Sequence, residues 1–195
     1  TAHGTFLPRS LQRGVGPLFR WAAGRATILP VSDYTAAQIR PLLPEARLHV
    51  IHNGVHVDRF ATPPDTLPEK RGPTVLGVGV NKARKGFHVL LEAIALLRQT
   101  NPDVRCVIIG NSADTTYRTR LESIITRHDL SAHVTLLGRA PEDVLLGWYH
   151  QADVFALPSV NVGDKFEGFG LVYLEAMRAG LPSGVSARSS GPCGK

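Results

Sequence analysis

From Thr74 onward the chain alternates unbroken apolar runs with runs of helical period, and that rhythm leaves few folds open. Thr74–Val80 is β-rich, and Phe87–Arg98 carries Val89, Leu90, Ala93, Ile94 and Leu97 at helical spacing. Val104–Gly110 is an apolar strand, and Thr116–His128 sets Leu121, Ile124 and Ile125 on one helical face. Val134–Gly138 is again a strand. Pro141–Gln151 is a helix with proline at its first position and two acids behind it. Asp153–Leu157 is a strand stopped by Pro158, Leu171–Ala179 a helix closed by Gly180, and Pro182–Ala187 the next strand. Continuous apolar strands separated by helices form a parallel sheet covered on both faces, so the fold class is α/β. Such sheets bind ligands beyond the carboxyl ends of their strands. Here those places are the loops 80–86, 110–115, 138–141 and 158–170.

The first fifty-odd residues differ. Ala26–Val31 and Leu48–His52 read as strands, and Ser32 caps a helix running to about Leu43, before Pro44. His56–Pro73, with Pro63, Pro64, Pro68 and mixed charges, reads as a linker. Three parts follow: 1–55, a linker 56–73, and 74–195. The chain begins at Thr1 and ends in Ser189-Ser-Gly-Pro-Cys-Gly-Lys195. Neither end reads as a domain boundary, so a fragment is expected.

Hydrophobic residues make up 43% of the 195 and charged ones 19%, which suits a folded domain. The net charge of +6 fits an anionic ligand or an anionic surface. Leu7–Arg25 interleaves Arg9, Arg13, Arg20 and Arg25 with Leu11, Leu18, Phe19 and Trp21, so a peripheral membrane contact is one reading. Gly14, Gly16 and Pro17 interrupt it, which favours an ordinary packed surface. No aromatic–basic motif for nucleic acid is present. Two cysteines and eight scattered histidines give neither a disulfide framework nor metal-ligand spacing. No apolar run approaches the roughly 20 residues that cross a bilayer.

The chemistry concentrates in Glu167-Gly-Phe-Gly-Leu-Val-Tyr-Leu-Glu175. One acid stands at the mouth of a glycine-lined helix and a second on its second turn. A helix N-terminus presents free N–H groups and the positive end of a dipole, which suit phosphate. Acids on either side can hold hydroxyls, so the segment suits a nucleotide-sugar. Lys85, between Gly79 and Gly86 at a strand-to-helix turn, can meet a diphosphate as a point charge. Alone, each of these residues has an ordinary reading: a solvated lysine, a cap, a surface acid. Gly138-Arg139 ends a strand where backbone could line a base pocket, and His3 is weak by itself.

Together these residues resemble the retaining GT-B-fold glycosyltransferases of family 4, the glycosyl transferases group 1. Val31-Ser32, Val50-Ile-His-Asn-Gly-Val55 and Asp58-Arg-Phe60 are similar to that family's domain-joining segment. Arg84-Lys-Gly86, Gly138-Arg139, Ala152-Asp-Val-Phe-Ala-Leu-Pro-Ser159 and Glu167 to Glu175 follow its donor-binding domain in order. The resemblance implies partial Rossmann-like domains, with 1–55 on the acceptor side and 74–195 on the donor side. It implies transfer of a sugar, with retention, from a UDP-, GDP- or ADP-linked donor to a glycan, lipid or small-molecule acceptor. By matching position, His3, Lys85 and Glu167 would be catalytic. Gly79, Arg84, Lys85, Gly138, Arg139, Glu167, Gly168, Phe169, Gly170, Leu171 and Glu175 would hold the donor, Glu175 through its ribose and Glu167 through its sugar. The resemblance further implies a cytoplasmic enzyme, at most peripheral at the inner face of the membrane, that needs no metal or cofactor. The fragment alone is expected to be inactive. Val80 stands where the family often has Arg, so Arg84 or Lys82 would supply a second cation, and His56 replaces a usual acid. An epimerase or phosphorylase of the same fold, or a non-catalytic nucleotide-sugar-binding module, is the alternative.

Overall fold

A computed structural model describes residues 6–12, 16–112 and 114–185. The described chain forms two compact units. One takes the residues up to Gly54 together with Asn161–Leu171; the other takes Val55–Val160 and the residues from Val172.

In the first unit, α1 spans Phe6–Gln12 and α2 spans Pro17–Arg25. Among its described residues the basic amphipathic stretch forms these two helices, and Pro17 opens the second, where its missing N–H costs nothing. Strands β1 (Thr27–Ile28) and β2 (Arg47–Leu48) pair in parallel around α3 (Asp33–Ile39). The second strand was expected over Leu48–His52. Its ladder does continue, since the His49 and Ile51 N–H groups donate to the Ile28 and Pro30 carbonyls at 3.1 and 2.9 Å. Helix α3 stops at Ile39, four residues before the expected Leu43. The chain turns there, so that Leu43 joins Leu11, Ile28, Ile39 and Ala46 in a small core.

The second unit is the parallel sheet. Its strands are β3 (Thr74–Val78), β4 (Arg105–Ile109), β5 (Val134–Gly138), β6 (Val154–Leu157) and β7 (Ser183–Val185). All pairings are parallel and the spatial order is β5-β4-β3-β6-β7. Helices α4 (Phe87–Leu97), α5 (Thr115–Arg127), α6 (Glu142–Gln151) and α7 (Leu171–Arg178) connect them. The predicted α/β class, a Rossmann-like parallel sheet, is therefore observed. Pro141 precedes α6 as its cap rather than opening it, and Asp114 caps α5 by accepting the Tyr117 N–H at 3.0 Å. The core runs through Leu76, Leu91, Ile108, Leu121, Phe155 and Tyr173, all fully buried. Cys106 lies within it, and burial pushes its thiol up to about 12. The segment ahead of β3 is docked on this unit: Phe60 is buried, Arg59 pairs with Glu142 at 2.7 Å, and Lys70 pairs with Asp153 at 2.7 Å.

Candidate functional site

The sheet order places β3 and β6 side by side while their chain continuations leave in opposite directions. That is the switch point at which parallel sheets open a crevice beyond their carboxyl ends. The loop after β3 carries Gly79, Arg84 and Lys85. Lys85 ends a 3-10 turn, Ala83–Lys85, and is only 8% exposed. Its stem crosses Gly79, where a Cβ would stand 3.2 Å from Lys85 Cε and 3.6 Å from Nζ. Gly86, at φ +71°, lies so close to the loop after β6 that a Cβ there would meet the Pro158 carbonyl oxygen at 1.8 Å. The Val160 N–H donates to the Arg84 carbonyl at 2.8 Å. The two switch-point loops are thus locked together, and only glycine permits the approach.

Two polar groups on these loops escaped the sequence reading. Asn81, 3% exposed, and Ser159, 1% exposed, have an Oδ1 and an Oγ with no hydrogen-bond partner among the described residues. A buried asparagine and a buried serine carry no periodic signal. Lys82 and Arg139 are exposed, and Gly138, at φ +70°, closes β5 and accepts the Gly110 N–H at 2.8 Å. Val80 is exposed.

Glu175 lies on the second turn of α7, half-buried, and Tyr149 of α6 donates its hydroxyl to Glu175 Oε2 at 2.8 Å. Burial, then the carboxylate beside it, pushes the Tyr149 phenol far above its ordinary value, so it remains a proton donor. Tyr149 was read only as part of a helix. Its partner lies 26 residues away, beyond any local pattern.

Glu167, Gly168, Phe169, Gly170 and Leu171 belong to the other compact unit, with the start of the chain. There the loop is pinned from α3. Ser32, the expected cap, accepts the Thr35 N–H at 3.1 Å and donates to the Gly168 carbonyl at 2.7 Å. Tyr34 packs edge-on against Phe166 at 5.1 Å and accepts from Asn161 at 3.0 Å. Phe169 is buried with its ring 5.8 Å from His52, and Arg9 pairs with Asp164 at 2.7 Å. Gly170 takes φ +77° immediately before α7. His3 lies outside the described residues. Among the described residues no group of three or more His, Cys, Asp or Glu could hold a metal ion.

The family model described as Glycosyl transferases group 1 matches residues 58–194. The chain is 33% identical over 171 residues to a GDP-mannose-dependent alpha-(1-6)-phosphatidylinositol monomannoside mannosyltransferase of Mycolicibacterium smegmatis, covering 83% of this chain and 44% of that protein. It is 32% identical over 193 residues to the enzyme of the same name from Mycobacterium tuberculosis, covering 94% and 47%. The chain thus spans about half the length of the curated relatives it matches. The crystal structure of Anabaena HepE in complex with UDP and glucose shares its fold, with a TM-score of 0.75 at 21% identity over 96% of this chain and 52% of that one. On the family match and these identities, the chain belongs to the glycosyl transferases group 1.

Proposed function

We propose that the protein carrying this chain transfers a sugar from a nucleotide diphosphate-sugar to an acceptor with retention of anomeric configuration. One observation carries the reading: in a chain of this family, Lys85 is buried against Gly79 at the switch point of the parallel sheet, where two loops are locked together. A cation fixed there stabilises charge building on a departing diphosphate more than it stabilises the bound donor. In this reading Arg84 adds charge, and Gly79, Gly138 and Arg139 line the nucleotide. Glu175 takes the ribose hydroxyls and Glu167 those of the sugar. Gly168, Phe169, Gly170 and Leu171 offer backbone groups, and His3 takes a catalytic part in the transfer. Residues 1–55 form the end of the acceptor-side domain, 56–73 the linker and 74–195 the donor domain.

GDP-mannose is the first donor to test, because relatives 32% and 33% identical carry it in their names. A lipid acceptor at the cytoplasmic face suits α2, which exposes Leu18, Phe19 and Trp21 beside Arg20 and Arg25. Among the described residues no helix is long and apolar enough to cross a membrane. The deciding experiment gives the full-length protein GDP-mannose, UDP-glucose and ADP-glucose with lipid and sugar acceptors. Transfer is followed, and the anomeric configuration of the product is read by NMR. An inverted product refutes retention. Glu175→Ala with parental kcat/KM refutes the site assignment.

A further inference from the structure

We propose that Tyr149 is a positioning residue for nucleotide recognition: its hydroxyl fixes the carboxylate of Glu175 so that one oxygen stays directed at the ribose. The inference rests on the reading of Glu175 as the ribose-binding acid. A glutamate side chain on a helix has several rotamers, and a diol is held well only by a carboxylate that does not have to be ordered on binding. Tyr149 supplies that order. Its hydroxyl takes Glu175 Oε2 at 2.8 Å, leaving Oε1 to accept from the ligand. The phenol is itself immobile, because Tyr149 is 1% exposed and its ring sits between two others. Phe60 meets it edge-on at 5.8 Å and 85°, and Phe155 lies at 6.2 Å and 40°. Phe155 in turn meets Tyr173 at 5.4 Å, and the Tyr173 hydroxyl is tied to the Leu157 carbonyl. The carboxylate is thereby referenced to β6 of the sheet. The same chain of rings reaches Phe60 in the segment ahead of β3, so docking of that segment also bears on the orientation of Glu175.

The test uses Tyr149→Phe, which keeps the ring and removes only the donor. The full-length protein is titrated by calorimetry with GDP, UDP and ADP, and the tightest binder is compared with its counterpart lacking both ribose hydroxyls. The variant should bind the ribonucleotide about five- to tenfold more weakly, the scale of one ordinary hydrogen bond. It should bind the dideoxy nucleotide within about twofold of the parent, because the hydroxyls that need the oriented acid are absent. In a Glu175→Gln background Tyr149→Phe should add little. A general structural fault would weaken both nucleotides together, and that outcome overturns the proposal, as does a variant that keeps the full preference for ribose. If Glu175→Gln alone leaves that preference intact, or none of the three nucleotides binds the parent, the donor-site reading falls and the inference with it.

Discussion

The two compact units of this chain are stabilised in different ways. The larger unit buries a continuous sheet. Leu76, Ile108 and Phe155 are fully buried, and β3 and β4 are apolar along nearly their whole length. The smaller unit has strands of two residues and a small cluster of Leu11, Ile28, Ile39, Leu43 and Ala46, while α2 buries none of its described residues. Its loop 161–171 is held by two buried rings, Phe166 and Phe169, and by single polar contacts, above all Ser32 to the Gly168 carbonyl. Where a segment can bury area, apolar runs decide the structure, and polar groups tune it. Where the apolar area is small, as in loop 161–171, one buried hydroxyl works beside two buried rings.

The comparison breaks most readily at Gly86. Gly86→Ala forces a Cβ into the Pro158 carbonyl at a left-handed φ. It should cost about 3 kcal/mol or more of the larger unit's stability in denaturant titrations. A loss near zero would mean the two loops are not rigidly joined. Lys85→Ala should lower kcat/KM for the donor about 100-fold, and an unchanged kcat/KM would remove the lysine from the chemistry. Ser32→Ala removes a cap and the bond to Gly168 together. It should cost about 1–2 kcal/mol, read as faster hydrogen exchange confined to α3 and residues 161–171. Spread of that effect into the sheet would erase the distinction between the units. Asp153 gives the smallest effect. Its carboxyl is held below the ordinary value by Lys70 and by the Thr74 N–H. A lowered folded pKa contributes stability above the unfolded value and loses it as pH falls through the folded one. Asp153→Asn should therefore flatten the fall of the melting temperature below about pH 4. The difference should stay below about 1 kcal/mol, because the pair is largely solvated.

The same contrast explains what could be read from the residues alone. Strands β3 and β4 announce themselves because they are buried along nearly their whole length and so are mostly apolar; β5 and β6 are also apolar runs, although Thr135 and Val154 are exposed. In the smaller unit the pattern is thinner. The ladder of β2 runs on to Ile51 although that side chain is more than half exposed, whereas α3 ends at Ile39, well before Pro44. The cap at Ser32 was legible, because a serine before an acid and a helical run has a local meaning; its second bond, to a carbonyl 136 residues on, was not. Lys85, Gly79 and Gly86 stood out by their spacing. Tyr149, Asn81 and Ser159 did not, since what distinguishes them is burial and a distant neighbour.

Cys106, sealed inside β4, gives the larger unit a chemical reporter of its own motion. Alkylating reagents attack thiolates, and a group that ionises only near 12 and is shut off from water offers none while the sheet is closed. The rate at which a reagent marks this sulfur therefore counts the moments when β4 is laid bare, and slowing of that clock by a bound nucleotide would give its affinity without any assay of turnover.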